Sequence, residues 1–229
     1  MKKSNTLWLS LIVLFITGCK DPDTVNQAVS GYDYFPLEAG RYAVYEVNEL
    51  RYVITSSTPK ATTYYLKEVL GRQFVGATGI EQFPIERYKR ATLQASWVLD
   101  SVWTAYRLPD RAVKVENNRA FVKLAFPLAE GNTWDGNLLS SHSAEEYEAR
   151  FGVPFPAQSD FPGSLTVVQR RDSSLVSLYK RHEVYAPGLG LVYKEDIAWE
   201  YCQEPACIGS GKIDTGTSQT MKIISHGQE

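Results

Sequence analysis

The chain has 229 residues with 24 basic and 26 acidic side chains, a formal charge of −2, so it lacks the basic footprint that nucleic-acid binding needs. Its 14 Tyr, 9 Phe and 5 Trp against 2 Met suit strands more than helices. The length, with no break in composition, gives one domain with a core of its own rather than two.

The first element is a short export signal. Lys2 and Lys3 supply a positive start and Leu7 to Ile16 (LWLSLIVLFI) an apolar middle, in the order a secretory signal requires. A spanning helix needs roughly 20 apolar residues, and this run is too short. Thr17 and Gly18 then lead into Cys19, and ITGC resembles the processing site of bacterial lipoproteins. The resemblance implies cleavage before Cys19, with residues 1–18 removed as signal peptide, and lipid on the new terminal cysteine. Lipoproteins of this kind carry two or three acyl chains there. One chain gives only marginal membrane binding, so the resemblance implies a lasting tether to a membrane. Loss of Lys2 and Lys3 leaves 22 basic and 26 acidic residues, a formal charge of −4.

Residues 19–33 read as a lipidated, flexible tether, polar, without period and containing Gly31. Its first residues, Cys19, Lys20, Asp21, Pro22 and Asp23, resemble the export signal of surface lipoproteins of the Bacteroidota. That implies lipid anchoring in the outer membrane with the body at the cell surface. A body on the periplasmic face, with these charges as a solvated linker, is the alternative.

Residues 34–229 read as strands. In Tyr34–Val47 the second half alternates, Tyr42 and Val44 on one face, Ala43, Tyr45 and Val47 on the other. Arg51–Thr55, Thr62–Leu70, Gln73–Thr78 and Phe83–Arg90 follow, with Pro59, Gly71 and Gly79 as breakers. Ala95–Leu108 ends at Pro109 and Asp110. Ala112–Glu116 and Arg119–Phe126 flank Asn117 and Asn118, a pair that tolerates the positive φ of a two-residue hairpin turn. Lys114 and Glu116 alternate with Val113 and Val115, which predicts one solvated face for this hairpin. Residues 127–164 are irregular and punctuated by Pro and Gly. Within them, 143–150 read either as a short helix opened by Ser143 and Glu146 as a capping box or as an edge strand. Ser164–Arg171 and Leu175–Tyr185 form a hairpin around 172–174, Pro187, Gly188 and Gly190 turn into Leu189–Trp199, and a last strand spans Thr217–Ser225. About ten to twelve strands with no long helical period predict a single antiparallel all-β domain, a sandwich or an open or closed barrel.

Three stretches, YFPL with its following Gly and aromatic strand, LAFPLAEGNTWDGN at 124–137 and YAPGLGLVYKE at 185–195, resemble a group of uncharacterised outer membrane lipoproteins of the Bacteroidota. The resemblance implies an antiparallel β fold and brings no activity with it.

Little in the sequence points to chemistry. Cys202 and Cys207 stand five apart around Pro205. In an oxidising compartment they favour a small disulfide loop over free thiols, a redox pair or a metal site. His142, His182 and His226 lack metal-site spacing, and His182 reads as a solvent-facing strand residue. No nucleophile elbow, phosphate loop or calcium loop is present. Asp21 and Asp135 read as linker and turn residues, and APGLGLV as a tight turn into a strand rather than a nucleotide loop. Trp97, Trp103, Trp134, Tyr106 and Trp199 read as core in preference to a ligand pocket. No cofactor or metal is expected. The expected role is a non-enzymatic interaction or accessory module whose protein partner or hydrophobic ligand the sequence does not name. The alternatives are a carrier of a hydrophobic ligand in a curved sheet and an enzyme acting on surface glycans or peptides.

Overall fold

A computed structural model describes residues 30–229 apart from 57, 78 and 157. The signal peptide, Cys19 and most of the tether lie outside the described residues. The chain forms strands β1 (Arg41–Tyr52), β2 (Lys60–Leu70), β3 (Phe74–Val75), β4 (Glu81–Arg90), β5 (Val98–Leu108), β6 (Arg111–Glu116) and β7 (Arg119–Ala125). It continues through β8 (Thr133–Asp135), β9 (Glu146–Phe151), β10 (Leu165–Ser173), β11 (Ser177–Ala186), β12 (Gly190–Tyr201) and β13 (Ile213–Gln228). Twelve of them pair antiparallel in the order β7-β6-β5-β4-β2-β1-β13-β12-β11-β10-β9-β8, with β3 set against the start of β4. The sheet curls into a nearly closed barrel, so of the two forms the antiparallel all-β expectation left open, sandwich and barrel, the chain takes the barrel.

Most neighbours in this order are also neighbours in sequence, and four of these pairs, β5–β6, β6–β7, β10–β11 and β11–β12, are joined by two or three residues. The non-local pairing of β1 with β13, Arg41 opposite Gln228 through Tyr52 opposite Gly216, joins the two halves of the sheet. The remaining junction, between β7 and β8, has no ladder. The Val122 N–H donates to the Gly136 carbonyl at 2.9 Å, and Trp134 Nε1 donates back to the Val122 carbonyl at 2.8 Å.

Several boundaries differ from the sequence expectation. β1 runs unbroken through Arg51 and Tyr52, so the strand expected at Arg51–Thr55 is its end and not a separate element. Among the described residues of the strand expected at Gln73–Thr78, Phe74 and Val75 are extended as β3, and Ala95 to Trp97 precede β5. The 143–150 alternative resolves to strand: Tyr147 and Ala149 are buried while Glu146 is exposed, a period of two that no helix face satisfies. The Ser143 carbonyl accepts from Asn137 Nδ2 at 2.7 Å. Asn117 and Asn118 both hold positive φ, 50° and 62°, as the hairpin expectation required.

The core occupies the end of the barrel where the described chain begins. One cluster gathers Tyr34, Phe35, Ile85, Leu124, Leu128 and Leu165, and a second gathers Tyr45, Val47, Leu66, Val192, Met221 and Ile223. The segment before β1 lies across this end. Tyr34 donates its hydroxyl to the Gly163 carbonyl at 2.6 Å, Tyr32 donates to the Pro109 carbonyl at 2.8 Å, and Arg107 donates to the carbonyls of Tyr32 and Phe35 at 3.0 and 3.3 Å. The C-terminal Glu229 returns to the same end, its N–H donating to the Gly40 carbonyl at 2.8 Å.

Candidate functional site

Beneath the segment before β1, the end of the barrel holds a half-open cavity of about 100 Å³. One wall is apolar, formed by Phe35, Leu37, Leu70, Ile85, Leu189 and Leu191. The other carries Glu68, Lys114, Glu116, Lys123, Glu183 and Tyr185, and Arg41, Tyr42 and His226 also border it.

The polar wall comes from strands that alternate as the sequence shows, but with the charged side chains turned inward. Lys114 is 9 % exposed, Lys123 4 % and Glu183 2 %. The face of the β6–β7 hairpin expected to be solvated therefore belongs to the barrel interior, while Val113 on the other face is fully buried too. Alternation distinguishes two faces of a strand without saying which is wet; here closure of the sheet puts the charged one inside.

Buried ions persist only when paired, and these are paired in two chains. In the first, Arg87 Nε donates to Glu68 Oε1 at 2.9 Å, Lys114 Nζ meets Glu68 at 2.9 and 3.1 Å, and Asp100 approaches Arg87 at 3.8 Å. In the second, Lys123 Nζ lies 2.8 Å from Glu116 Oε1 and 2.9 Å from Glu183 Oε1, Lys194 stands 3.8 Å from Glu183, and the Tyr185 hydroxyl donates to Glu183 Oε2 at 2.6 Å. The Arg87 guanidinium also sits 3.5 Å from the centre of the Trp103 ring, and Trp103 Nε1 donates to Asn117 Oδ1 at 3.2 Å.

Electrostatics hold the acids ionised. Burial acts to raise the Glu183 carboxyl, but the charges of Lys123 and Lys194 and the bonds from Tyr185 and Lys123 outweigh it and bring it down to about 2. Glu68 is lowered on the same balance, its desolvation overcome by Lys114 and Arg87, and Glu116 likewise by Lys123, Lys114 and Lys194. Burial lowers the Lys123 ammonium less than its two carboxylates raise it. Tyr185 is raised well above its ordinary value by burial and by Glu183, so it remains a donor.

The residues singled out by sequence stand largely elsewhere. Cys202 and Cys207 are at disulfide distance, Cα to Cα 5.8 Å, in the loop between β12 and β13. Cys19 is outside the described residues. His182 is not solvent-facing: its side chain is 13 % exposed, its ring tilted 40° to the Tyr193 ring 5.7 Å away, and it stands 3.5 Å from Glu195; burial lowers its pKa. Asp135 is a turn residue, its Oδ1 accepting from the N–H groups of Asn137 and Glu145, each at 2.9 Å. Of the aromatics read as core, Trp103 and Trp134 pack against the first cluster, while Trp97, Tyr106 and Trp199 are half-buried outside both. Within APGLGLV the expected turn is present, and Leu189, Gly190 and Leu191 also form cavity wall. Sequence reasoning missed the six polar lining residues. Their only signal was polar side chains within four strands, β2, β6, β7 and β11, a pattern equally expected of a wet face.

Among the described residues, no group of three or more His, Cys, Asp or Glu is placed to hold a metal ion, and no helix is long and apolar enough to cross a membrane. No protein-family model matches the chain, nor does any curated protein sequence.

Proposed function

We propose that the chain is an outer membrane lipoprotein of the cell envelope, anchored by lipid on Cys19, whose barrel is a non-enzymatic binding module for a small ligand. The observation that carries the binding role is the cavity, with an apolar wall facing a wall of buried, paired charges. Pockets of that make-up, mostly apolar with a few fixed polar groups, are the usual places where small molecules bind. Glu68, Glu116 and Glu183 converge as an enzyme acting on glycans or peptides would require. Yet each is lowered by its cations, whereas general acid–base catalysis works best with a pKa near the operating pH. The described chain enters the barrel at the cavity end, so a short tether from Cys19 sets that end toward the bilayer.

A second reading, a carrier of a larger hydrophobic ligand, is favoured by the thinly bonded junction between β7 and β8. A dry cavity of about 150 Å³ holds one benzene ring, so a whole acyl chain requires that junction to part.

Native mass spectrometry of the protein isolated from its own membranes tests both parts. The expected mass is that of the chain starting at acylated Cys19, with a small molecule released on activation. An intact leader and no acyl mass overturns the anchor; an empty barrel at every activation energy overturns the binding module.

A further inference from the structure

The two ion-pair chains end side by side. Asp100, Arg87, Glu68 and Lys114 form one, and Glu116, Lys123, Glu183 and Lys194 the other, each with two positive and two negative members. Their free ends, Lys114 and Glu116, are two residues apart on one face of β6 and both line the cavity. That spacing puts their Cα atoms roughly 7 Å apart. Lys114 Nζ makes both of its bonds to the single carboxylate of Glu68, and an ammonium has three donors, so one N–H remains. Lys123 meets Glu116 at Oε1, 2.8 Å away, from inside the network, and the Glu116 carboxylate borders the cavity beside Lys114.

Resting on the binding-module reading, we propose that the cavity takes a small, net-neutral amphiphile whose polar end carries a hydrogen-bond acceptor for Lys114 and a donor for Glu116, as a primary carboxamide or a zwitterion does. Such a head bridges the two chains without adding charge. An anion satisfies Lys114 but meets the Glu116 carboxylate, and a cation does the reverse. Either one leaves an uncompensated charge among buried side chains, where unpaired ions are costly. The tail faces Leu37, Leu70, Ile85 and Leu191. The volume of about 100 Å³ admits the head and a few carbons, less than the benzene-sized cavity of about 150 Å³.

The test uses the full mature chain in lipid nanodiscs and three small probes on one short chain: propanamide, propanoate and propylamine, titrated at neutral pH by calorimetry and ligand-observed NMR. The amide is expected to bind about tenfold more tightly than either ion. Lys114→Met and Glu116→Gln are each expected to erode that preference. Leu37→Trp, which narrows the apolar wall and leaves both charged ends intact, is expected to abolish binding and serves if the charge variants fail to fold. An ion that binds as tightly as the amide overturns the ligand class and leaves the binding module standing. So does failure of the amide while native mass spectrometry still shows a bound small molecule. Failure of all three probes at millimolar concentration together with an empty barrel overturns both.

Discussion

Lys123 is the most heavily committed side chain in the barrel, with Glu116 and Glu183 on either side of its ammonium. Removing one partner of a buried pair leaves an uncompensated charge and costs about 3–5 kcal/mol, whereas replacing a whole group by apolar residues is often neutral. Lys123→Met is therefore expected to lower stability by that amount, read as a shift of the urea midpoint. Lys123→Met combined with Glu116→Gln and Glu183→Gln is expected to recover most of it. The pH dependence follows from Glu183. Its folded pKa of about 2 lies below the ordinary value of 4.5, so the unfolded chain takes up the proton first. The stabilisation is complete above pH 4.5 and is lost as the pH falls toward about 2. Urea midpoints measured across that window should fall with acid in the natural chain and change less in Glu183→Gln; a midpoint that holds steady in both contradicts the pairing.

The β6–β7 hairpin shows how a turn sets the geometry of the site. Asn117 and Asn118, both at positive φ, bring Lys114 and Glu116 back against β7, with Glu116 opposite Arg119 and Lys114 opposite Phe121. A β-branched residue in the left-handed region costs about 1–2 kcal/mol relative to the right-handed one. Asn118→Val should therefore lower thermal stability while Asn118→Gly leaves it near the natural value, a contrast that calorimetry resolves. This turn was legible in the sequence because two adjacent Asn between alternating segments have few other uses. β9 was not, because Ser143 and Glu146 carry a helix-start spacing that competes with the alternation of Tyr147 and Ala149. Only the partner strand decides between them: Ala149 pairs with Val167 and Phe151 with Leu165.

The barrel as a whole is held unevenly. β1 pairs with β13 along its whole length at the middle of the sheet, whereas β7 meets β8 and the turn after it through one backbone bond, one Trp bond and the Arg119–Asn137 side-chain bond at 2.8 Å. Gly136 sits at that junction with the Tyr147 ring packed where a Cβ would stand, so the close approach depends on its lacking a side chain. Backbone protection tracks the local free energy of opening. Amides of β8 and the outer edge of β7 are expected to exchange faster than those of β1 and β13 in hydrogen exchange; equal protection argues that the barrel opens only by global unfolding.

Strand number, the antiparallel class and the main hairpins follow from period-two alternation and from turn residues such as Asn117, Asn118 and Pro109, since both are properties of neighbouring residues. Inside and outside are not local. Lys114, Lys123 and Glu183 carry the same signature in a wet sheet as in a dry one, and they became a buried network because residues far apart in the chain, Arg41 with Gln228 and Val122 with Gly136, draw the sheet around them. Once enclosed, charges of opposite sign had to find each other, and the cavity lies where two such chains stop short of meeting.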